Sequence, residues 1–345
     1  MADGILITGG AGFIGANLAG HYLTQGRRVV VYDNFSRPGA LVNRRWLEQR
    51  WGDRVEIIAG DVCEPDPRFA KAVEASAVVY HLAAQVAVTT SVQDPRHDFR
   101  TNALGTFNVL EAVRTSRSRP AVIYASTNKV YGKMEQVDVV DEGNRYRYAN
   151  APHGIDEHFP LDFYSPYGCS KGTGDQYALD YARIYGLRTV VFRQSCIYGP
   201  HQFGMEDQGW VAWFTIRAMQ QRGVTVYGDG KQVRDVLWIG DLVAAYDAAF
   251  ERIDAISGRA YNIGGGSDYT LSLLELIAIL DRRFGRPLKH AFDQWRPGDQ
   301  KVFVSDVRAA ERDFGWRPDI SPEAGVEQLA AWLCENKVVV DEVAR

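Results

Sequence analysis

The segment Gly4-Ile5-Leu6-Ile7-Thr8-Gly9-Gly10-Ala11-Gly12-Phe13-Ile14-Gly15 restricts the folding of this chain more than any other. It reads as a buried strand that breaks into a glycine turn and runs straight into a helix. Such a junction aims bare backbone N–H groups and the positive helix end at one spot, where a pyrophosphate is held. Gly10-x-Gly12-x-x-Gly15 has the spacing of a dinucleotide site, and Gly9 adds an overlapping G-x-x-G-x-x-G. A second apolar strand, Arg28 to Tyr32, ends in Asp33, eighteen residues past Gly15. An acid there accepts from the ribose hydroxyls of adenosine. It would also repel a 2′-phosphate, so NAD is expected rather than NADP even with Arg37 close behind.

The rest of the first half alternates strand and helix. Strands are expected at Ile5–Thr8, Val29–Tyr32, Val55–Ala59, Val78–Leu82, Val122–Ala125 and Thr189–Arg193. Amphipathic helices are expected at Phe13–Thr24, Phe99–Thr115 and Pro166–Tyr185. This alternation predicts an α/β fold, a doubly wound parallel (Rossmann) sheet covered on both faces. A chain of 345 residues exceeds one typical domain. Residues 1–199 are therefore read as an NAD-binding Rossmann domain, with 234–258 returning to it. Residues 200–233 and 259–345 are read as a smaller C-terminal α/β cap. The polar stretch 132–163 breaks the rhythm, as functional loops do.

Composition narrows the partners. A net charge of −4 and a pI near 6.0 argue against nucleic-acid and anionic-membrane binding. Cys63, Cys169, Cys196 and Cys334 are scattered, without zinc or disulfide spacing, which fits a reducing cytoplasm. No apolar run reaches the ~18 residues of a membrane span. The first strand starts so early that no signal peptide is expected. No metal is expected: His153, Asp156 and His158 could form a trio, but a loop acid pair Asp156-Glu157 with exposed histidines accounts for them better.

Two Tyr-x-x-x-Lys pairs occur, Tyr167/Lys171 and Tyr227/Lys231. The second contains Gly228 and Gly230, reads as a turn and would not align its ends. The first opens a helical pattern, where positions i and i+4 share a face. A phenol with pKa ≈ 10 is a poor base near neutrality. A lysine ammonium and an oxidised nicotinamide beside it would both favour phenolate. The phenolate could then take a hydroxyl proton while the adjacent C–H yields hydride. Thr127, just past its strand, could bridge the reacting oxygen and the tyrosine.

These motifs together resemble the extended short-chain dehydrogenase/reductase family. The matches are T-G-G-A-G-F-I-G at 8–15, Asp61-Val62, His81-Leu82-Ala83-Ala84, S-T-N-K-V-Y-G at 126–132, and Y-G-C-S-K at 167–171. Arg193 with Tyr198-Gly199-Pro200, R-D-V at 234–236, Y-N-I-G-G at 261–265 and R-P-G-D at 296–299 follow. The resemblance implies a catalytic set of Thr127, Tyr167 and Lys171. It places NAD against Gly9, Gly12, Phe13, Ile14, Gly15, Asp33, Asn34, Ser36 and Arg37. Asp61 and Val62 would meet the adenine. Leu82, Ala83, Ala84, Gln85, Asn102 and Ala125 would complete the cofactor site with Tyr167 and Lys171. A nucleotide sugar is implied against Thr127, Asn128, Lys129, Cys196, Gln208, Gly209, Val211, Tyr227, Arg234, Arg296 and Asp299, the two arginines gripping its diphosphate.

The family's 4,6-dehydratases carry Asp-Glu after the threonine; Asn128-Lys129 here lacks that acid/base pair. T-N-K-V-Y-G, S-P-Y-G-C-S-K-G-x-x-D-Q-Y and D-Q-G-W-V-x-W-F resemble instead the branch that inverts C2 of CDP-linked hexoses through a transient ketone. The chain departs from that branch at Gln194, Cys196 and Pro200-His201, side chains expected to flank the sugar. The alternatives are a 4-epimerase on a UDP- or GDP-sugar, an NADPH-dependent reductase, and a non-catalytic NAD- or nucleotide-sugar-binding regulator. The helices at 99–115 and 166–185 pair between subunits in relatives, which implies a homodimer or homotetramer.

Overall fold

The structure is a computed structural model that describes residues 3–296 and 299–343. Pro297 and Gly298 of the R-P-G-D motif lie outside the described residues. The first half comprises β1 (Gly4–Thr8), α1 (Phe13–Thr24), β2 (Val29–Asp33), α2 (Ala40–Trp51), β3 (Val55–Ala59), α3 (Pro67–Glu74) and β4 (Ser76–His81). Next come α4 (Val88–Gln93), α5 (Pro95–Phe99), α6 (Gly105–Thr115), β5 (Ala121–Thr127) and a hairpin of β6 (Val139–Asp141) and β7 (Tyr146–Tyr148). After it run α7 (Ser165–Tyr185), β8 (Thr189–Gln194), β9 (Cys196–Tyr198), α8 (Trp210–Met219), β10 (Val224–Tyr227) and β11 (Val233–Trp238). The chain continues through α9 (Ile239–Glu251), α10 (Ile253–Ile256), β12 (Arg259–Ile263), β13 (Thr270–Ser272) and α11 (Leu273–Phe284). It ends with β14 (His290–Asp293), β15 (Val302–Phe303), α12 (Arg308–Phe314), α13 (Pro322–Glu335) and α14 (Lys337–Val343).

Seven parallel strands form the central sheet in the order β12-β8-β5-β4-β1-β2-β3. The order reverses between β1 and β4, and ligands of open α/β sheets bind at the carboxyl ends of strands beside such a reversal. One face is packed by α1, α2, α9 and α12, through Leu18, Leu47, Tyr246 and Phe314 among others. The other face is packed by α3, α6 and α7, through Phe69, Leu110 and Ala178. Apolar side chains therefore cover both faces, which is why these strands read as near-continuous hydrophobic runs.

Two differences from the sequence reading bear on function. Residues 259–263 were expected in the cap, but β12 closes the outer edge of the central sheet. Its neighbour β8 is buried along its whole length, and an edge so buried needs a hydrogen-bonding partner. The helix expected over 99–115 is interrupted: residues Arg100–Leu104 form a π-helical turn between α5 and α6. Such turns widen a helix by one residue and are often found at functional sites. Here the widening carries the Asn102 side chain inward. A second apolar core joins α8, α11 and α13, and the 139–148 hairpin packs with Val233 and Phe303 in another. Among the described residues no helix is long and apolar enough to cross a membrane.

Candidate active site

The glycine turn leaves room for a ligand and very little for side chains. A Cβ on Gly9 would lie 2.7 Å from the Ala83 nitrogen, and one on Gly15 would lie 2.4 Å from the Gly9 oxygen. No side chain caps α1 at Gly12, so the first-turn N–H groups, those of Phe13 and Ile14, are left to a ligand. Asp33 ends β2 beside them, accepting from Ala11 N–H at 3.0 Å and Phe35 N–H at 2.7 Å. Each of its oxygens keeps a further lone pair for a ribose hydroxyl. An anion-seeking helix end next to a ribose-seeking carboxylate fits a dinucleotide.

The neighbouring candidates line the same crevice. Asn34 donates to Asp61 at 3.0 Å and accepts from Ser36 N–H at 3.0 Å. Val62 is buried against Gly105. Leu82, Ala83 and Ala84 follow β4, and Ala83 N–H donates to the Thr8 hydroxyl at 3.3 Å. That hydroxyl in turn donates to His81 Nδ1 at 2.7 Å, leaving His81 Nε2 to donate to Thr106 at 3.0 Å. Burial, with Lys171 nearby, pushes His81 down to about 3, so it stays neutral. Asn102 is fully buried and bonded to both backbone groups of Gln85 and to Ser170, at 2.8–3.1 Å. Its position ties the 82–85 loop to the helix bearing Lys171. Ala125 lies near the end of β5.

Thr127, Tyr167 and Lys171 converge at the carboxyl end of β5. Thr127 is the last residue of that strand rather than beyond it, because pairing with Gln194 extends the ladder. Its hydroxyl lies close enough to the Tyr167 phenol to favour the phenolate. Tyr167 and Lys171 share one face of α7, which starts with Pro166 at its first turn. Lys171 is buried, with its ammonium 4.4 Å from the Tyr124 ring centre. The expected lowering of the phenol is not supplied by the protein alone. Burial pushes Tyr167 up to about 12, with Thr127 and Arg37 opposing that rise and Asp98 adding to it. Burial also pulls Lys171 down to about 7, against Asp175 and Asp98.

The substrate candidates gather in two groups. Lys129, Arg234, Asp299 and Cys196 form the first; Arg234 pairs with Asp299 at 2.9 Å, and the Trp210 indole donates to Cys196 at 3.4 Å. Burial, with Arg234 beside it, pulls Lys129 down to about 8. Asn128, adjoining Thr127, is buried and accepts from its hydroxyl at 3.3 Å. In the second group Arg296 lies 3.9 Å over the Tyr227 ring and pairs with Asp207 at 2.9 Å. Gln208 accepts from Arg37, and Gly209, at φ +76°, starts α8. The Val211 side chain is packed into the second core and offers the site only its backbone.

Two expectations about the sugar are corrected. Gln194 donates to the Tyr246 hydroxyl on α9 and packs into the sheet's own core. His201 lies between Trp46 and Trp332, its ring 3.9 and 5.1 Å from theirs. Of the three departures only Cys196 lies with the first group of substrate candidates, beside Lys129 and Arg234. The second Tyr-x-x-x-Lys pair is split as its glycines implied: Tyr227 donates to Glu206 at 3.1 Å and Lys231 to Asp141 at 2.9 Å. Among the described residues no three His, Cys, Asp or Glu side chains are arranged to hold a metal.

Sequence reasoning passed over Asp98, Asp175 and Asn43. Each is a buried polar residue on a helix, and an acid in an apolar helical face is the only local signal for the first two.

The chain matches the model of the "NAD dependent epimerase/dehydratase family" over residues 5–264. It is 44% identical over 336 residues to a CDP-paratose 2-epimerase from Salmonella typhi, covering 95% of this chain and 98% of that one. Its structure resembles a UDP-glucuronic acid 4-epimerase from Bacillus cereus solved with UDP-glucuronic acid and NAD, with TM-score 0.83, 28% identity and coverage of 96% and 99%. DesIV, a dTDP-glucose 4,6-dehydratase from Streptomyces venezuelae solved with NAD, gives TM-score 0.83 at 26% identity and 99% coverage of both chains. The glycine turn, the Thr127–Tyr167–Lys171 convergence and the sheet order all lie within the matched span, and this chain belongs to the NAD dependent epimerase/dehydratase family.

Proposed function

We propose that this protein is an NAD-dependent nucleotide-sugar epimerase that inverts C2 of a CDP-linked hexose of the paratose/tyvelose type. The observation that carries this reading is the 44% identity to a CDP-paratose 2-epimerase along nearly the full length of both chains. The pocket supports it, since Gln194 and His201, where this chain departs from that branch, point away from the sugar. Asn128 and Lys129 offer no acid/base pair for dehydration.

In this reading Thr127 and Tyr167 hold the C2 hydroxyl oxygen between them. NAD, which the Gly9–Gly15 turn and Asp33 would hold, would supply the acceptor for the C2 hydride and the source of its return. Tyr167 takes the hydroxyl proton as the ketone forms and gives it back when the ketosugar has turned its other face. Lys171 contributes positive charge to the phenolate, and Arg234 and Arg296 grip the diphosphate as planar forks. The first lobe holds the cofactor and the second the nucleotide sugar.

Exposed Phe99, Leu104, Phe107, Tyr177 and Ile184 on α5, the π-helical turn, α6 and α7 support a homodimer through that face. Four unpaired cysteines support a cytoplasmic location.

Substrate deuterated at C2 tests the reaction. A C2 epimerase returns the same hydrogen, so the product keeps its label and takes none from D2O. Solvent deuterium at the inverted carbon would sink hydride chemistry. An isotope effect confined to C4 label would make the enzyme a 4-epimerase.

A further inference from the structure

Residues 199–209 leave β9 and run along the start of α2 in the opposite direction. Pro200 accepts from Asn17 of α1 at 2.9 Å. His201 meets Asn43, Phe203 meets Gly39, and Gln208 meets Arg37. The fit at Gly39 is close: a Cβ there would lie 2.2 Å from the Phe203 ring. The segment thus lies flat on the loop that follows Asp33, the loop carrying Asn34, Ser36 and Arg37.

Asn43 is the centre of this contact. It is 1% exposed, and its amide donates to Ala11 O at 3.1 Å and to His201 O at 3.3 Å. Its Oδ1 lies 3.2 Å from His201 Nδ1. That oxygen can only accept, so Nδ1 carries the proton. Burial pushes His201 down to about 4, which keeps the ring neutral in that tautomer. The His201 backbone sits at φ +66°, a strained value for a side chain with a Cβ, and Trp46 and Trp332 hold the ring in place. Ala11 is meanwhile fixed on both sides of its residue, its N–H by Asp33 and its carbonyl by Asn43.

We propose that Asn43 and His201 are cofactor-positioning residues, forming a clasp that pins the glycine turn to the 199–209 segment so that NAD leaves only when the clasp opens. The clasp deepens the epimerase reading, which requires the cofactor to stay bound between the two hydride transfers. Without it the turn is tied to the 34–39 loop only through Asp33, and the N–H groups aimed at the pyrophosphate lose their second anchor.

The test is the release rate of NAD from the purified, NAD-loaded protein, followed by trapping free NAD with an excess of a second dehydrogenase and its alcohol. Asn43→Ala should release NAD about ten- to a hundred-fold faster than wild type, as expected for losing buried hydrogen bonds worth one to two decades in an equilibrium constant. His201→Asn keeps a residue that tolerates positive φ and removes the ring; it should speed release in the same direction. Leu280→Ala, in the second core and away from the clasp, should release NAD at the wild-type rate, which a general loosening of the fold would not allow. Release at the wild-type rate from folded Asn43→Ala overturns the proposal. If that variant does not fold, an unchanged rate in His201→Asn overturns it. Wild type that loses NAD as fast as the variants overturns it too. Slow wild-type release and fast variant release, with no CDP-sugar turned over, would sink the proposed function and leave the clasp standing.

Discussion

Asp175 gives the most direct test of how the reactive side chains are held. It lies on α7 one turn past Lys171, buried with Arg193, whose Nε and Nη2 reach its two oxygens at 3.0 and 3.1 Å. Ser126, next to Thr127, donates to the same carboxylate at 2.8 Å. One carboxylate therefore ties α7 to β5 and β8. Asp175→Asn preserves the shape and removes the charge. Arg193 keeps the Tyr131 hydroxyl at 3.2 Å and the Glu157 carbonyl at 3.3 Å, but its own charge is then buried without a counter-ion. Breaking a buried pair from one side costs about 3–5 kcal/mol, and the acceptor retained by the amide keeps this case near the lower end. Lys171 responds as well, because Asp175 is the larger of the two anions opposing its loss of charge. Its pKa should fall below about 7, so the alkaline limb of kcat, where Lys171 gives up its proton, should move to lower pH. Urea unfolding of the NAD-loaded protein reads the first effect, and a pH profile of kcat the second. Asp175→Leu with Arg193→Met should regain most of the stability, as apolar replacements of buried pairs commonly do, without restoring the profile. An Asp175→Asn protein within about 1 kcal/mol of wild type and with an unmoved profile would refute the reasoning.

Lys171→Met should stabilise the cofactor-free protein while abolishing turnover. The folded pKa of Lys171 lies below its unfolded value, so the burial penalty is full below about pH 7 and vanishes as pH rises through about 10.5; the gain in unfolding free energy, read by urea titration, should shrink by about 1.4 kcal/mol per pH unit across that window. Tyr167→Phe should lower kcat by about 10²–10⁴ with substrate still bound. Lys231→Ala should leave kcat near wild type, because that side chain is engaged with Asp141 and its tyrosine with Glu206. Arg296→Ala should raise KM about ten- to a hundred-fold with a smaller effect on kcat, read from initial rates, as for the loss of a charge-assisted contact to phosphate. An unchanged KM would remove Arg296 from the diphosphate site.

Local signals carried the parts of this molecule that local physics decides. The helix Phe13–Thr24 and strand Val55–Ala59 have the bounds read from sequence, because a glycine turn starts one and an apolar run delimits the other. Tyr167/Lys171 was separable from Tyr227/Lys231 for the same reason: Gly228 and Gly230 sit at positive φ and break the second pair's alignment. What escaped depends on partners far along the chain. The π-helical turn follows from Asn102 reaching Gln85 and Ser170, the latter 68 residues away. The pairing of β12 with β8 depends on a sheet edge left without a hydrogen-bonding partner, which no window of sequence reveals. His201 looked like a sugar contact because it follows the Tyr198-Gly199-Pro200 motif; two tryptophans from α2 and α13 decide its direction.

The electrostatics around Tyr167 and Lys171 divide the labour between protein and ligand. Within the chain, burial dominates at Tyr167 and Lys171, holding the phenol protonated and leaving the lysine about half-charged near pH 7. The charges the protein does place there pull in different directions: Asp98 raises the phenol and supports the ammonium, while Arg37 lowers the phenol from across the cofactor crevice. A cation brought to the face of Tyr167 by a ligand would shift the balance toward phenolate by opposite charge. In the proposed reaction the base is then strong only when the crevice is filled, and the proposed clasp at Asn43 would serve that reaction by retaining the cofactor.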